Sequence, residues 1–295
     1  MPCFQAFFLE GPQGKGQRFC IFHPAQGVTR GRVLHIHPFA EEMNKSRQMS
    51  ALQARKLAQA GFAVLQIDLF GCGDSSGDFG DASWQDWLDD VALGAAWLSQ
   101  QGSEPLWLWG HRLGCLLACE AAPSLNEACH FLFWQAPSTG RVLLQQFLRL
   151  KVASGMLEGG PNTISTDALK AELLAGGSVE IAGYRLSSAL AAGMEKATLS
   201  PPALASAQAW APVACWFEVS SQALPEPSPA ISAAIQRWEA AGIAVRYQSI
   251  PGPQFWQTAE IELAPALLES SCSALRDAAP SSPASVARLD LEHQP

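Results

Sequence analysis

The residues with the clearest chemical spacing are Gly110-His111-Arg112-Leu113-Gly114, which follow the apolar run Leu106-Trp107-Leu108-Trp109 and lead into the small-residue run Cys115 to Cys119. A strand, a turn flanked by two glycines and an immediate helix form the pattern of a nucleophile elbow. In Gly-x-Ser-x-Gly, the strained turn presents its central side chain at the carboxyl edge of a parallel sheet. Here the central residue is Arg112, a permanent cation that serves neither as nucleophile nor as general base. The pattern is that of acyl chemistry, and the residue that would perform it is replaced.

Other residues with reactive side chains are weaker candidates. Ser75, in Gly73-Asp74-Ser75-Ser76-Gly77, fits the same glycine–serine pattern as text, but no helix follows it directly. Cys115 and Cys119 share a helix face and read as packing, and Cys72 reads as loop filler. His35-x-His37 places two imidazoles on one strand face without a third ligand at metal spacing. No metal site and no cofactor are expected.

The elements around this turn alternate. Two strands, 5–10 and 18–23, form a hairpin at a sheet edge, and a third spans 32–37. A long amphipathic helix runs from Glu41 to Ala60, stopped by Gly61. A buried strand at 63–69 enters the loop 71–77, and a helix covers 84–101. The elbow strand 106–109, the elbow helix 112–122 and a strand at 130–134 follow. Short connections between alternating strands and helices predict a mostly parallel sheet with helices on both faces. Residues 138–210 give helical fragments without a convincing strand and read as a helical lid insertion. The sheet resumes at 212–219, followed by a helix at 231–241, a strand at 244–250 and a last helix near 258–268. The domain is expected to span residues 1–270, with 271–295 a disordered tail.

Composition excludes several roles. With 295 residues and 48% hydrophobic content, the chain can bury a large core. The net charge of −8, without a basic stripe, argues against nucleic acid. No run approaches the ~20 apolar residues of a transmembrane segment, and the start lacks the features of a signal peptide. The eight cysteines are scattered without a CxxC pair, as in a reduced cytoplasmic protein.

Three motifs in order resemble the α/β-hydrolase superfamily over nearly all of residues 1–270: His37-Pro38-Phe39, Asp68-Leu69-Phe70-Gly71-Cys72-Gly73-Asp74-Ser75 and the elbow. The stretches 37–47, 71–79, Trp87-Leu88-Asp89-Asp90 and Phe255-Trp256-Gln257-Thr258 further resemble the bacterial exosortase A system-associated hydrolase 2 proteins. That resemblance implies an α/β-hydrolase fold and a setting of PEP-CTERM protein sorting and exopolysaccharide production. It also implies that the 37–39 loop supplies an oxyanion-hole N–H, that an acid follows strand 212–219, and that a histidine follows the last strand. At the acid position the chain has Glu218 to Gln222, with Glu226 beyond. At the histidine position it has Pro251-Gly252-Pro253-Gln254-Phe255-Trp256, and no histidine occurs between 131 and 292.

The leading expectation is a hydrolase-like protein whose triad has degenerated and which binds a small anionic or acyl-carrying ligand. His37, Phe39, Ala40, Glu42, His111, Arg112, Leu113, Gln254 and Trp256 are expected to line the site. Arg112 is expected on the pocket floor, held by Glu41, Glu42, Asp68 or a bound anion. Proteins of the exosortase or polysaccharide system are possible partners. Two alternatives are an active esterase, thioesterase or acyltransferase with an unconventional nucleophile, and a scaffold for envelope polysaccharide assembly.

Overall fold

The computed structural model describes residues 4–125, 127–157, 165–203, 211–221 and 226–278. Its centre is an eight-stranded sheet. The strands are β1 (Gln5–Glu10), β2 (Gln17–His23), β3 (Gly31–Ile36), β4 (Phe62–Ile67), β5 (Leu106–His111), β6 (Cys129–Trp134), β9 (Val213–Ser220) and β10 (Ala244–Pro251). Their order is β1-β2-β4-β3-β5-β6-β9-β10. β1 pairs antiparallel with β2, and β2 with β4, while every other pair is parallel.

The central strands β3, β4, β5 and β6 are buried on both faces, and their side chains alternate between two cores. Leu106 and Leu108 of β5, with Phe131 and Phe133 of β6, pack into one core. Trp107 and Trp109, with Leu132 and Trp134, pack into the other. Helices α2 (Trp84–Ser99), α3 (Leu113–Ala121) and α7 (Pro229–Ala240) cover the first face. Helices α1 (Glu41–Gln59) and α8 (Pro265–Ala278) cover the second.

The loop that follows β4 is anchored by buried polar groups. Asp90 on α2 accepts hydrogen bonds from Arg18 Nε and from the Phe70 amide, each at 2.6 Å. Trp87 Nε1 donates to the Phe70 carbonyl at 3.0 Å. The Trp87 to Asp90 motif therefore holds the 68–77 loop in place. Burial raises the Asp90 carboxyl to about 6 against the pull of Arg18, so this pair fixes geometry more than it adds stability.

The insertion leaves the sheet after β6 and carries α4 (Gly140–Leu157), α5 (Thr166–Leu174), the hairpin β7 (Ser178–Ile181) and β8 (Tyr184–Ser187), and α6 (Ser188–Lys196). The hairpin corrects the expectation of a purely helical lid. Its strands have only four residues each, joined by Ala182 and Gly183 at positive φ, so their alternation is too short to stand out. The two ends of the insertion meet: Thr139 bridges Thr198, and Gly140 N donates to the Ala197 carbonyl at 2.9 Å. Residues 204–210 of the expected lid lie outside the described residues.

The end of the chain is also corrected. The last helix starts at Pro265, not near 258, and continues to Ala278, burying Ser271, Cys272 and Leu275. Trp134 Nε1 donates to Ser271 Oγ at 2.9 Å. The domain boundary expected at 270 therefore falls inside a packed helix, and residues 279–295 of the expected tail lie outside the described residues.

Candidate functional site

The elbow is present. Arg112 sits at φ 53° and ψ −115° between β5 and α3, a conformation that costs an L-residue roughly 1–3 kcal/mol. Both flanking glycines are required. A Cβ on Gly110 would lie 2.5 Å from the Cys115 backbone, and one on Gly114 would overlap the Ile36 carbonyl oxygen. Across the site Ala40, which precedes α1, has the matching strained geometry of φ 51° and ψ −127°. The sequence thus retains the sterically demanding backbone of a catalytic turn, carrying a side chain without nucleophilic chemistry.

Arg112 is 8% exposed, and its guanidinium is held by two elements. Nη2 donates to Glu42 Oε1 on α1 at 3.0 Å and to Gln146 Oε1 on α4 at 3.0 Å. Nε donates to the same carboxylate at 3.2 Å. The cation also lies 5.8 Å from the Trp256 ring centre. Burial pushes the Glu42 carboxyl above its ordinary value, and Arg112 pulls against that rise. Of the three expected carboxylates Glu42 is the partner. Asp68 pairs with Arg47 at 3.1 Å instead, and Glu41 lines the space above.

That space is a cleft of about 440 Å³ between α1, α4 and the segment after β10. Phe39, Leu143, Phe147, Leu150 and Trp256 form apolar walls, and Glu41, Glu42, Lys45, Gln146 and Gln257 supply polar groups. Phe39 stands edge-on to Phe147, with ring centres 4.9 Å apart.

The expected site residues divide into several groups. Phe39, Glu42 and Trp256 line the cleft; Arg112, expected on its floor, is not itself a lining residue and reaches the cleft through its bonds to Glu42 and Gln146. Ala40 and Leu113 enter through backbone position, one on each side of the site. Gln254 is exposed and does not line the cleft, whereas Gln257, one turn further on, does. His111 is fully buried, caged by Trp134, Phe255 and Trp256, and neither ring nitrogen has a hydrogen-bond partner. Burial drives its pKa well below the ordinary histidine value, so it remains neutral. His37 faces away from the cleft: one ring nitrogen bonds the Pro38 carbonyl at 2.8 Å and the other accepts from the Leu69 amide at 3.2 Å. It braces the 37–39 loop against the 68–77 loop.

Among the described residues, those at the remaining triad positions do not assemble a relay around Arg112. At the position expected for the base, Phe255 and Trp256 are buried in the core. On β9, Glu218 accepts from the Tyr247 hydroxyl at 3.3 Å, and burial raises its carboxyl. Residues 222–225 lie outside the described residues, and Glu226 is exposed. Ser75 is occupied structurally: its hydroxyl donates to the Asp68 carbonyl at 2.5 Å and accepts from the Phe19 amide at 2.9 Å. Cys72, Cys115 and Cys119 are buried, and burial pushes their thiols far above the range of a reactive thiolate. Among the described residues no cluster of three or more His, Cys, Asp or Glu could hold a metal.

Residues 27–157 match the family model described as serine aminopeptidase, S33. The human protein ABHD12B is 30% identical over 118 residues, which cover 40% of this chain and 31% of that protein; the match thus spans less than a third of the relative's length. XC6422 from Xanthomonas campestris, described as an α/β serine hydrolase without lid, superposes with a TM-score of 0.56 at 15% identity, covering 95% of this chain and 97% of that one. Est1E from Butyrivibrio proteoclasticus, solved with ferulic acid bound, gives 0.58 at 13% identity, covering 92% and 97%. The fold is the α/β-hydrolase fold. The chain is an α/β-hydrolase-like protein with arginine at the apex of its elbow.

Proposed function

We propose that the cleft binds an acyl-carrying ligand without forming an acyl-enzyme, so that the protein works as a binding member of a hydrolase fold. The observation that carries this reading is the Arg112 guanidinium, fixed at the elbow by Glu42 and Gln146, two residues that line the cleft together with five apolar side chains. Acyl transfer needs a nucleophile beside a base. Here the apex is a cation, the adjacent His111 imidazole is sealed among aromatic rings, His37 is engaged by backbone on the far side of its loop, and the serine of the second glycine motif is consumed by backbone bonds. The anionic ligand expected from Arg112 alone finds less support, because Glu42 already answers that charge. An apolar chain against Phe39, Phe147 and Trp256 needs no such exchange.

Titration of the protein with medium-chain fatty acyl compounds tests this. The Trp256 contribution to the emission, taken as the difference from Trp256→Phe, is expected to change saturably. Steady turnover of an ester or thioester panel, or labelling by a fluorophosphonate, would establish the enzyme reading instead. Indifference to every acyl compound would favour the scaffold.

The setting is a separate proposal. The 37–47, 71–79 and 255–258 stretches support membership of the exosortase-associated group, with proteins of the sorting or polysaccharide system as partners and the cytoplasm as location. Pairwise affinity measurement against those proteins, and fractionation of the source cells, test it. Among the described residues no helix is long and apolar enough to cross a membrane.

A further inference from the structure

A second cavity lies on the other side of the 37–39 loop from the cleft. Its volume is about 230 Å³, and it is enclosed between α1 and the strands β2, β3 and β4. This is below the roughly 300–1,000 Å³ of pockets that hold drug-sized ligands, so an occupant would have few atoms. Nothing in the proposed acyl site uses it.

Its lining is polar in a specific way. At the mouth, Arg47 Nη2 donates to Asp68 Oδ2 at 3.1 Å, with the Arg47 side chain 44% exposed and that of Asp68 11% exposed. The guanidinium gives Asp68 two of its five N–H donors, and the remainder are free to take another acceptor. Deeper in, His35 and Ser50 are both more than nine-tenths buried, with Ser50 Oγ 3.3 Å from His35 Nε2. The floor carries no charge. Burial pulls His35 down to about 3, and both nitrogens of His37 are engaged by backbone. Phe19, Ile21 and Met43 supply apolar wall.

We propose that this cavity is a second binding site, for a small zwitterion that carries a carboxylate and an ammonium group on one carbon. The carboxylate extends the Arg47 side of the ion pair and the ammonium extends the Asp68 side. A ligand with only one charge would meet one partner of the pair favourably and be opposed by the other, whereas a zwitterion is matched by both. The neutral floor accepts a short apolar or hydroxylated side chain, with Ser50 as a hydrogen-bond partner, and rejects a third charge. Because His37 and Pro38 line this cavity while Phe39 lines the cleft, an occupant here bears directly on the loop that walls the acyl site.

Thermal melts of the full chain with L-alanine, L-serine and L-glutamine at millimolar concentration test the proposal, with acetate and ethylamine as single-charge controls. At least one zwitterion is expected to raise the melting temperature, and neither control should do so. Titration calorimetry of that ligand with Arg47→Gln should show at least a tenfold loss of affinity. Ser50→Ala, a smaller change deeper in the cavity, should weaken binding of L-serine. The proposal is overturned by the absence of any shift, by an equal shift with either control, or by unaltered binding in both variants. If Arg47→Gln does not fold, Arg47→Lys keeps the charge and removes the fork, and undiminished binding in it overturns the proposal equally.

Discussion

Replacing Arg112 by methionine keeps an unbranched apolar stem and removes the charged head, leaving the largely buried Glu42 without its partner. That carboxyl already sits above its ordinary value because burial outweighs the pull of Arg112, and without the arginine it rises further. Beyond a certain point it takes up a proton in preference to staying ionised, which sets a ceiling on the charge cost. Protonating a carboxyl of ordinary pKa ~4.3 at pH 7 costs about 3.7 kcal/mol. Part of that cost is present in the unchanged protein, whose Glu42 is also raised, and the lost bond to Gln146 adds about 1 kcal/mol. The net expectation for Arg112→Met is a loss of roughly 3–4 kcal/mol at pH 7. The folded variant then holds a proton that the unfolded chain has released, so its stability falls as pH rises above ~4.3, by up to about 1.4 kcal/mol per unit. Near pH 5 the deficit should shrink to roughly 1–2 kcal/mol. Urea unfolding followed by far-UV circular dichroism at both pH values measures this, and the Glu42→Gln, Arg112→Met double variant should recover much of the loss. A deficit independent of pH, or one below about 1 kcal/mol at pH 7, would refute the view that Glu42 is the buried counter-charge of Arg112.

Arg112→Ser should leave the protein unlabelled by fluorophosphonates, because His111 is caged and the segment after β10 offers Phe255 and Trp256; labelling above the unchanged protein would contradict this. Gly114→Ala should prevent folding or lower the melting temperature by many degrees, since its Cβ meets the Ile36 carbonyl; a melt like that of the unchanged protein would show that the turn can shift. Ending the chain after Ala278 should alter stability little. Ending it after Ser270 removes buried Cys272 and Leu275 and the Ser271 bond to Trp134, at a cost of several kcal/mol measured by urea unfolding.

The strands of the sheet were legible because each is a short apolar run closed by glycine, proline or a polar turn. The run at 63–69, for example, differs from β4 by a residue or two at its ends. The elbow was legible because only two glycines at fixed spacing permit so tight a turn. The lid hairpin was not, although Val179, Ile181 and Leu186 are buried beside the Ala182-Gly183 turn, a signal confined to eight strand residues. The last helix was misplaced for a different reason. Serine and alanine dominate 270–278, and the i, i+4 spacing of Ser271 and Leu275 marks a buried face without the bulk that makes such a face visible. Gln146 could not be found at all, because no local pattern places a lid glutamine against a residue 34 positions earlier. Gln254 lies just after the last strand in the sequence, but the chain turns there and brings Gln257 to the cleft instead.

The closed stem of the insertion has a consequence for how this molecule can vary. Since residues 139 and 198 are already neighbours, everything between them is a cassette that the sheet does not need in order to close. A short turn could replace it while leaving every strand pair of the eight-stranded sheet intact. What would leave with the cassette is Gln146 and the wall formed by Leu143, Phe147 and Leu150. Arg112 would then face water with Glu42 alone. The wall of the cleft can therefore be exchanged as a module in this architecture, while the elbow and its cation remain behind as the fixed socket.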